Sequence, residues 1–388
     1  SLFKGVTVPP HGINEGKISL ELGVRGIPNI SESVIVERDL AILEAVGGRY
    51  HLLHCSTKQA LDAIKRAKDK GLNATVEVSP HHFTITDEEI LRELEPEAER
   101  LLNRHLASAE EWYPHEQVPW DRAARLETEG FIYGQAPLCV GVRSALLVNL
   151  LTEDNLPWYT RTISRMFGGD SAWGAWAQRW TAEEGRHAIV MRDYITVSGL
   201  VDPKTLEDGR MAQVSSAIVP EPDSPVDGMC YVAMQELATR ISHRNTGTML
   251  NDPVGYNVMM KLSTDENRHH LFYRDLVSKL IELNPSAAIE ALKRQVTSFS
   301  MPGIGIPGFV EHAKAIAQVG IYDFAIHHEK IIMPLVFRQW AIDKVEGLSS
   351  AAEEARDAMF KYIERVGKVA RRQVERREAS MAAAAAIL

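Results

Sequence analysis

Two short stretches, Thr181–His187 (TAEEGRH) and Thr264–His269 (TDENRH), constrain this chain more than any other feature. Each sets a glutamate three residues before a histidine: Glu184 with His187, and Glu266 with His269. In a helix such a pair shares one face, so it offers a cation a carboxylate oxygen and an imidazole nitrogen from the same side. Two further glutamates stand in register upstream, Glu153 at 31 residues before Glu184 and Glu236 at 30 before Glu266. At 1.5 Å rise per residue, such a span is about one long helix, a turn and part of the next. Antiparallel neighbours joined this way bring the two glutamates to similar height. A lone Glu-x-x-His reads as a solvated helix face. A doubled one, each copy with its upstream glutamate, reads as a two-metal site in the core of a helical bundle.

The flanking residues agree. Trp173, Trp176, Trp180, Glu184 and His187 form one continuous helical stripe, and Met259, Leu262, Glu266, His269 and Tyr273 form another. An apolar stripe alone means core packing. Here the stripes run into acids and histidines, and charged groups on a core face must be paired or bound to metal. The lone glutamates sit on comparable faces, Leu146–Leu150–Glu153 and Val232–Glu236–Thr239–His243.

Four stretches, LLTEDNLPWY, WTAEEGRHAIVMRDY, MQELATRISHRNTG and STDENRHHLFYRD, make the chain from about residue 91 to 380 resemble the soluble acyl-acyl-carrier-protein desaturases. The resemblance implies a mainly α fold, a ferritin-like di-iron helical bundle with extra helices. It implies two iron ions bridged by carboxylates, with O2 as co-substrate and two external electrons, removing two hydrogens from a saturated acyl chain. Carried over by position, the ligands are Glu153, Glu184, His187, Glu236, Glu266 and His269, with Glu184 and Glu266 bridging. The family further implies an electron path through Trp112, Asp265 and His187, and a threonine near the O2 site, here Thr239. Acyl carrier protein and ferredoxin or a similar donor are the partners implied, in a homodimer. Glu183 and Asp265, just ahead of each Glu-x-Arg-His, suit the second nitrogen of a histidine across the bundle, with Arg186 and Arg268 to pair with them. Gly185 stands where relatives often carry Asn.

Composition fits this reading. A net charge of −9 argues against general nucleic-acid binding. No run of 18 apolar residues suggests a membrane span, and no basic segment precedes an apolar stretch as in a secretory signal. Cys55, Cys139 and Cys230 have no zinc-like spacing and read as reduced, buried thiols of a cytoplasmic protein.

Residues 1–90 read differently. Helices over Ser31–Val46 and Lys58–Lys70 alternate with buried strands over Tyr50–His54 and Ala74–Val78, a parallel βαβ pattern. The pieces NEGKISLELGVRGIPNISE, YHLLHCST and VEVSPHHFTITDEE resemble an internal fragment of dihydroorotase, an amidohydrolase barrel, whose metal-binding histidines would be His54 and His81. That chemistry also needs an HxH pair, which the sequence lacks, and two or three βα units cannot close a barrel. This α/β segment is therefore expected to be a non-catalytic fusion product or a packed adaptor.

Beyond it, Leu91, Leu94, Leu101, Leu102 and Leu106 predict a helix whose face is apolar. A loop is expected over Arg122–Cys139, a kink at Pro157, a polar connection over Lys204–Asp227 and a break at Met301–Pro307. Later helices fall at Ala313–Val319 and Ile331–Val345, and a basic amphipathic helix at Lys361–Arg377 precedes a tail over residues 381–388. That basic helix, or Arg161 and Arg165, could face an acidic carrier protein. Rival readings are another di-iron carboxylate oxygenase, an iron store, an inactive carrier-binding homologue and, more remotely, an amidohydrolase resting on residues 1–90.

Overall fold

The computed structural model describes residues 27–77, 87–128, 133–134 and 136–385. The chain divides into two compact units, Ser1–Thr86 and Asp87–Leu388. His81 lies outside the described residues.

In the first unit, α1 (Ile30–Val46), β1 (Tyr50–Leu52), α2 (Lys58–Asp69) and β2 (Ala74–Val76) follow in order. The two strands pair in parallel, Tyr50 with Ala74 through Leu52 with Val76. The Thr57 hydroxyl caps α2 by accepting from the Ala60 amide, which satisfies one of the donors a helix start leaves free. Val36, Leu40 and Leu43 of α1 pack with Ala60, Ala63, Ile64 and Ala67 of α2 into a small core. The first strand is shorter than Tyr50–His54 and only half buried. It stops where His54 turns to a φ of 51°, which ladder pairing cannot continue. His54 is exposed, and its Nδ1 lies 3.8 Å from a Glu77 oxygen.

The second unit is helical. In chain order it holds α3 (Asp87–Ser108), α4 (Pro114–Gln117), α5 (Asp121–Thr128), α6 (Val140–Glu153), α7 (Leu156–Phe167), α8 (Ser171–Val197), α9 (Pro203–Ser216), α10 (Pro225–Met249), α11 (Pro253–Leu283), α12 (Pro285–Ser298) and α13 (Phe309–Gln318). The short α14 (Phe324–Ile326) runs into a π-helical stretch, His327–Ile332 and Pro334–Gln339, and α15 (Ser350–Ala385) follows. Helices α6, α8, α10 and α11 form the central bundle, with α3 packed on α8 and α11. The pair α10 and α11 packs along its length after a connection of only Leu250–Asp252, so the two run antiparallel. Proline sits in the first turn of α7, α9, α10, α11 and α12, where its missing N–H costs nothing.

Several sequence expectations change here. Pro157 does not kink a continuous helix: α6 ends at Glu153 and, after the two residues Asp154 and Asn155, α7 begins with Pro157 in its first turn. The expected loop over Arg122–Cys139 contains most of α5, anchored by Arg122 on Asp252 at 2.6 Å. The expected connection over Lys204–Asp227 contains α9, started by the Asp202 carboxylate accepting from the Thr205 amide. The helix expected at Ile331–Val345 is the π-helical stretch and ends by Gln339. Helix α15 runs on through Ala385, so the last residues before 386 are not a separate tail. Leu106 is exposed, and Cys139 is exposed whereas Cys55 and Cys230 are buried.

Candidate metal centre

The four bundle helices aim six side chains at one interior region. Glu153 closes α6, Glu184 and His187 lie one turn apart on α8, Glu236 is central in α10, and Glu266 with His269 repeats the pair on α11. All six are buried, and both histidines have no exposure. Their donor atoms form two overlapping sets: Glu153, Glu184, His187 and Glu266 in one, and Glu184, Glu236, Glu266 and His269 in the other, each within 4.8 Å. Glu184 and Glu266 belong to both. In the first set His187 Nδ1 lies 3.7 Å from Glu153, 3.3 Å from Glu184 and 3.6 Å from Glu266. In the second, His269 Nδ1 lies 2.8 Å from Glu184 and 3.8 Å from both Glu236 and Glu266.

The outer nitrogen of His269 is held from behind. His269 Nε2–H donates to Glu183 Oε2 at 2.9 Å, which leaves Nδ1 turned toward the carboxylates. Asp265 lies 3.6 Å from His187 Nε2 in the matching place. Asp265 also accepts from Trp112 Nε1 at 2.8 Å, from Arg186 at 3.2 Å and from Arg268 at 2.8 Å. Trp112 stacks on His187 with ring centres 6.4 Å apart and carries the Arg186 guanidinium 4.8 Å from its ring centre. Thr239 Oγ1 spends its proton on backbone carbonyls of its own helix, Gln235 at 3.2 Å or Glu236 at 3.1 Å.

Two participants escaped sequence reasoning. His105 of α3 places Nε2 2.9 Å from the same Glu183 oxygen that His269 uses. His243, two turns past Glu236, places Nε2 3.0 Å from Glu153 Oε1. His243 did fall on the core face read from the sequence, but nothing in that pattern named its partner. His105 had no such signal, because the contact spans 78 residues.

The electrostatics describe a cavity with too much negative charge for a dry interior. Burial, then the Glu266 charge, push the Glu236 carboxyl well above the usual range. Burial also opposes ionisation of Glu183, but donation from His105 and His269 outweighs it and holds the acid well below normal. Burial disfavours charge on His187 and His269 too, yet the surrounding acids hold both well above an ordinary imidazole. Meanwhile Glu184 Oε1, Glu236 Oε2, Glu266 Oε2, His187 Nδ1 and His269 Nδ1 are buried without a hydrogen bond. Orphaned acceptors of this kind are costly unless a cation joins them. Four carboxylates and two neutral imidazoles balance two divalent cations, and mixed oxygen–nitrogen sets of this kind suit iron. The residues therefore fit a carboxylate-bridged pair of ions.

A cavity opens on this region, lined by Glu153, Glu184, Glu236 and Glu266 together with Ile163, Met166, Tyr231 and Val232. Among the described residues, no helix is long and apolar enough to cross a membrane.

Fold and site together define a ferritin-like helical protein with a carboxylate–histidine centre. Residues 86–387 match the family model described as fatty acid desaturase. DesA1 of Mycobacterium tuberculosis (strain H37Rv), named as an acyl-[acyl-carrier-protein] desaturase, is 41% identical over 290 residues, covering 72% of this chain and 86% of that protein. Acyl-[acyl-carrier-protein] desaturase 7 of Oryza sativa subsp. japonica is 33% identical over 296 residues, covering 69% of this chain and 72% of its own. The solved structure of DesA2 from Mycobacterium tuberculosis H37Rv shares the fold, with a TM-score of 0.54 at 23% identity, over 69% of this chain and 98% of that one. The chain belongs to the fatty acid desaturase family, in its acyl-acyl-carrier-protein branch, and by that membership is an oxidoreductase.

Proposed function

We propose that this protein desaturates a saturated acyl chain carried on acyl carrier protein, using a di-iron centre held by Glu153, Glu184, His187, Glu236, Glu266 and His269. One observation carries the reading: two buried carboxylate–histidine sets share Glu184 and Glu266 and leave their inward atoms without hydrogen bonds. When bound, the iron pair supplies activation of O2; overall, –CH2–CH2– with O2, two electrons and two protons gives –CH=CH– and two waters.

The chain's own residues supply the rest. The cavity beside the glutamates offers the apolar surface of Ile163, Met166 and Val232 to a methylene chain and excludes water from it. Glu183 fixes the orientation of His269 through a hydrogen bond, and Asp265 stands 3.6 Å behind His187 Nε2. Trp112 and Asp265 form a contiguous path from outside the cluster to His187, the route assigned here to electrons from ferredoxin or a similar donor. Thr239 lines the cavity one turn from Glu236, its hydroxyl anchored on the backbone carbonyls of its own helix and placed to assist proton delivery in the cavity. The reading carries with it a homodimer in the cytoplasm. It also leaves residues 1–90 as a dihydroorotase-like, non-catalytic α/β fragment, in keeping with a two-stranded sheet and an exposed His54.

The test is reconstitution: iron-loaded protein, stearoyl carrier protein, ferredoxin, its reductase and O2, with the product lipids analysed. A double bond is expected. An iron-loaded sample that consumes no substrate and yields no alkene would sink the desaturase reading.

A further inference from the structure

The two glutamates that lie in only one set each are not braced alike. Glu236 Oε1 accepts from Trp180 Nε1 at 3.1 Å, and Glu153 Oε1 faces His243 Nε2 at 3.0 Å. In each case the other oxygen faces the histidine of its own set, Glu236 Oε2 toward His269 Nδ1 at 3.8 Å and Glu153 Oε2 toward His187 Nδ1 at 3.7 Å. A nitrogen donor thus occupies one oxygen of each carboxylate and leaves one for a cation.

The supports differ in what they must overcome. Glu236 sits in the middle of α10, fixed by helix on both sides. Glu153 is the last residue of α6, where the backbone dipole opposes an anion and the chain is least constrained. His243 comes from a different helix and corrects both weaknesses. Its Nε2 also lies 3.5 Å from Glu266 Oε1, so both atoms it faces are carboxylate oxygens. Nε2 therefore carries a proton and is the donor. Helix α10 in this way serves both sets, Glu236 to one and His243, two turns and about 10 Å along the axis, to the other.

We infer that His243 is the positioning residue of the Glu153 half of the centre: its Nε2–H holds Glu153 Oε1, restricts that carboxylate to binding through Oε2, and sets the affinity of that half separately from the other. This rests on the proposed metal centre.

The experiment is anaerobic calorimetric titration of the full chain with ferrous ion, comparing wild type, His243→Leu, His243→Gln and His243→Asn, with circular dichroism and melting curves recorded on each. Wild type is expected to take two ions. His243→Leu should keep one ion at wild-type affinity and bind the other 10- to 100-fold more weakly, the usual effect of removing a residue that orients a ligand. His243→Gln, whose amide N–H reaches the same carboxylate, should recover most of the loss. His243→Asn, too short to reach, should behave like Leu and replaces it if Leu does not fold. Two unchanged ions in Leu and Asn, equal weakening of both ions, or no advantage of Gln over Asn overturns the inference while leaving the metal centre standing. A folded wild type that takes up fewer than two ions overturns the centre itself.

Discussion

Trp112 Nε1 donates to Asp265 Oδ2 across 2.8 Å, although 153 residues separate them in the chain. Asp265 in turn lies behind His187, so an indole on the segment after α3 is linked to the interior of the bundle through one carboxylate. Asp265→Asn keeps the shape but exchanges an anion for an amide. We expect the fold to survive and the affinity for one ion of the pair to fall 10- to 100-fold. Trp112→Phe should leave iron stoichiometry intact and slow turnover driven by ferredoxin. Stopped-flow reduction compared with calorimetric iron binding separates the two effects; equal behaviour of both variants would refute the assigned path.

Glu184 belongs to both donor sets, so its loss should cost both ions rather than one. In Glu184→Ala, iron content after reconstitution should fall from two per chain toward zero, together with the near-ultraviolet absorption of an oxidised iron pair. Elemental analysis and absorbance check this, and an unchanged spectrum would remove Glu184 from the centre.

Gly185 lies next to that ligand in the middle of α8, and a Cβ built there meets only Leu156 Cδ2 at 3.9 Å. Glycine in a helix interior costs about 1 kcal/mol relative to alanine. Gly185→Ala should therefore raise stability by up to about 1 kcal/mol, a few degrees in Tm, with two ions still bound. Gly174→Ala on the same helix is the control, since its Cβ would collide with the Gly169 backbone; it should destabilise. Melting curves of the pair decide.

His327 is held low, at about 4, first by burial and then by the neighbouring His328. The unfolded imidazole titrates near 6.5, so between those values the unfolded chain binds the extra proton. Stability from this group is fully present above about pH 6.5 and is lost as pH falls toward 4, by up to roughly 3 kcal/mol. Denaturation midpoints from pH 7 to 4 should fall in wild type and fall less in His327→Gln, which cannot take up that proton. Parallel curves would exclude His327 as the cause.

How much of this was legible follows from periodicity. The stripes Trp173–His187 and Met259–Tyr273 named buried faces correctly because a helix repeats every 3.6 residues whatever surrounds it. Residue spacing also suggested that Glu183 lies behind a histidine of the other helix, and the 2.9 Å contact with His269 is there. Pro157 suggests a kink because the sequence shows a missing donor but not whether the chain resumes its axis; the chain instead restarts as a new helix. The exposed Leu106 and Cys139 fail for a related reason: apolarity marks a tendency to bury, and only neighbouring elements decide whether anything covers the residue.

The sequence by itself determined the helical class, the two Glu-x-x-His faces and the glutamates in register with them, since each is a local consequence of helix geometry. Only the tertiary structure decided which atoms meet: that Glu184 and Glu266 are shared between two donor sets, and that His105 and His243 reach Glu183 and Glu153. Those meetings join residues 78 and 90 positions apart, and no local repeat encodes such a distance. It is set by how α3, α6, α8 and α10 pack around a common core.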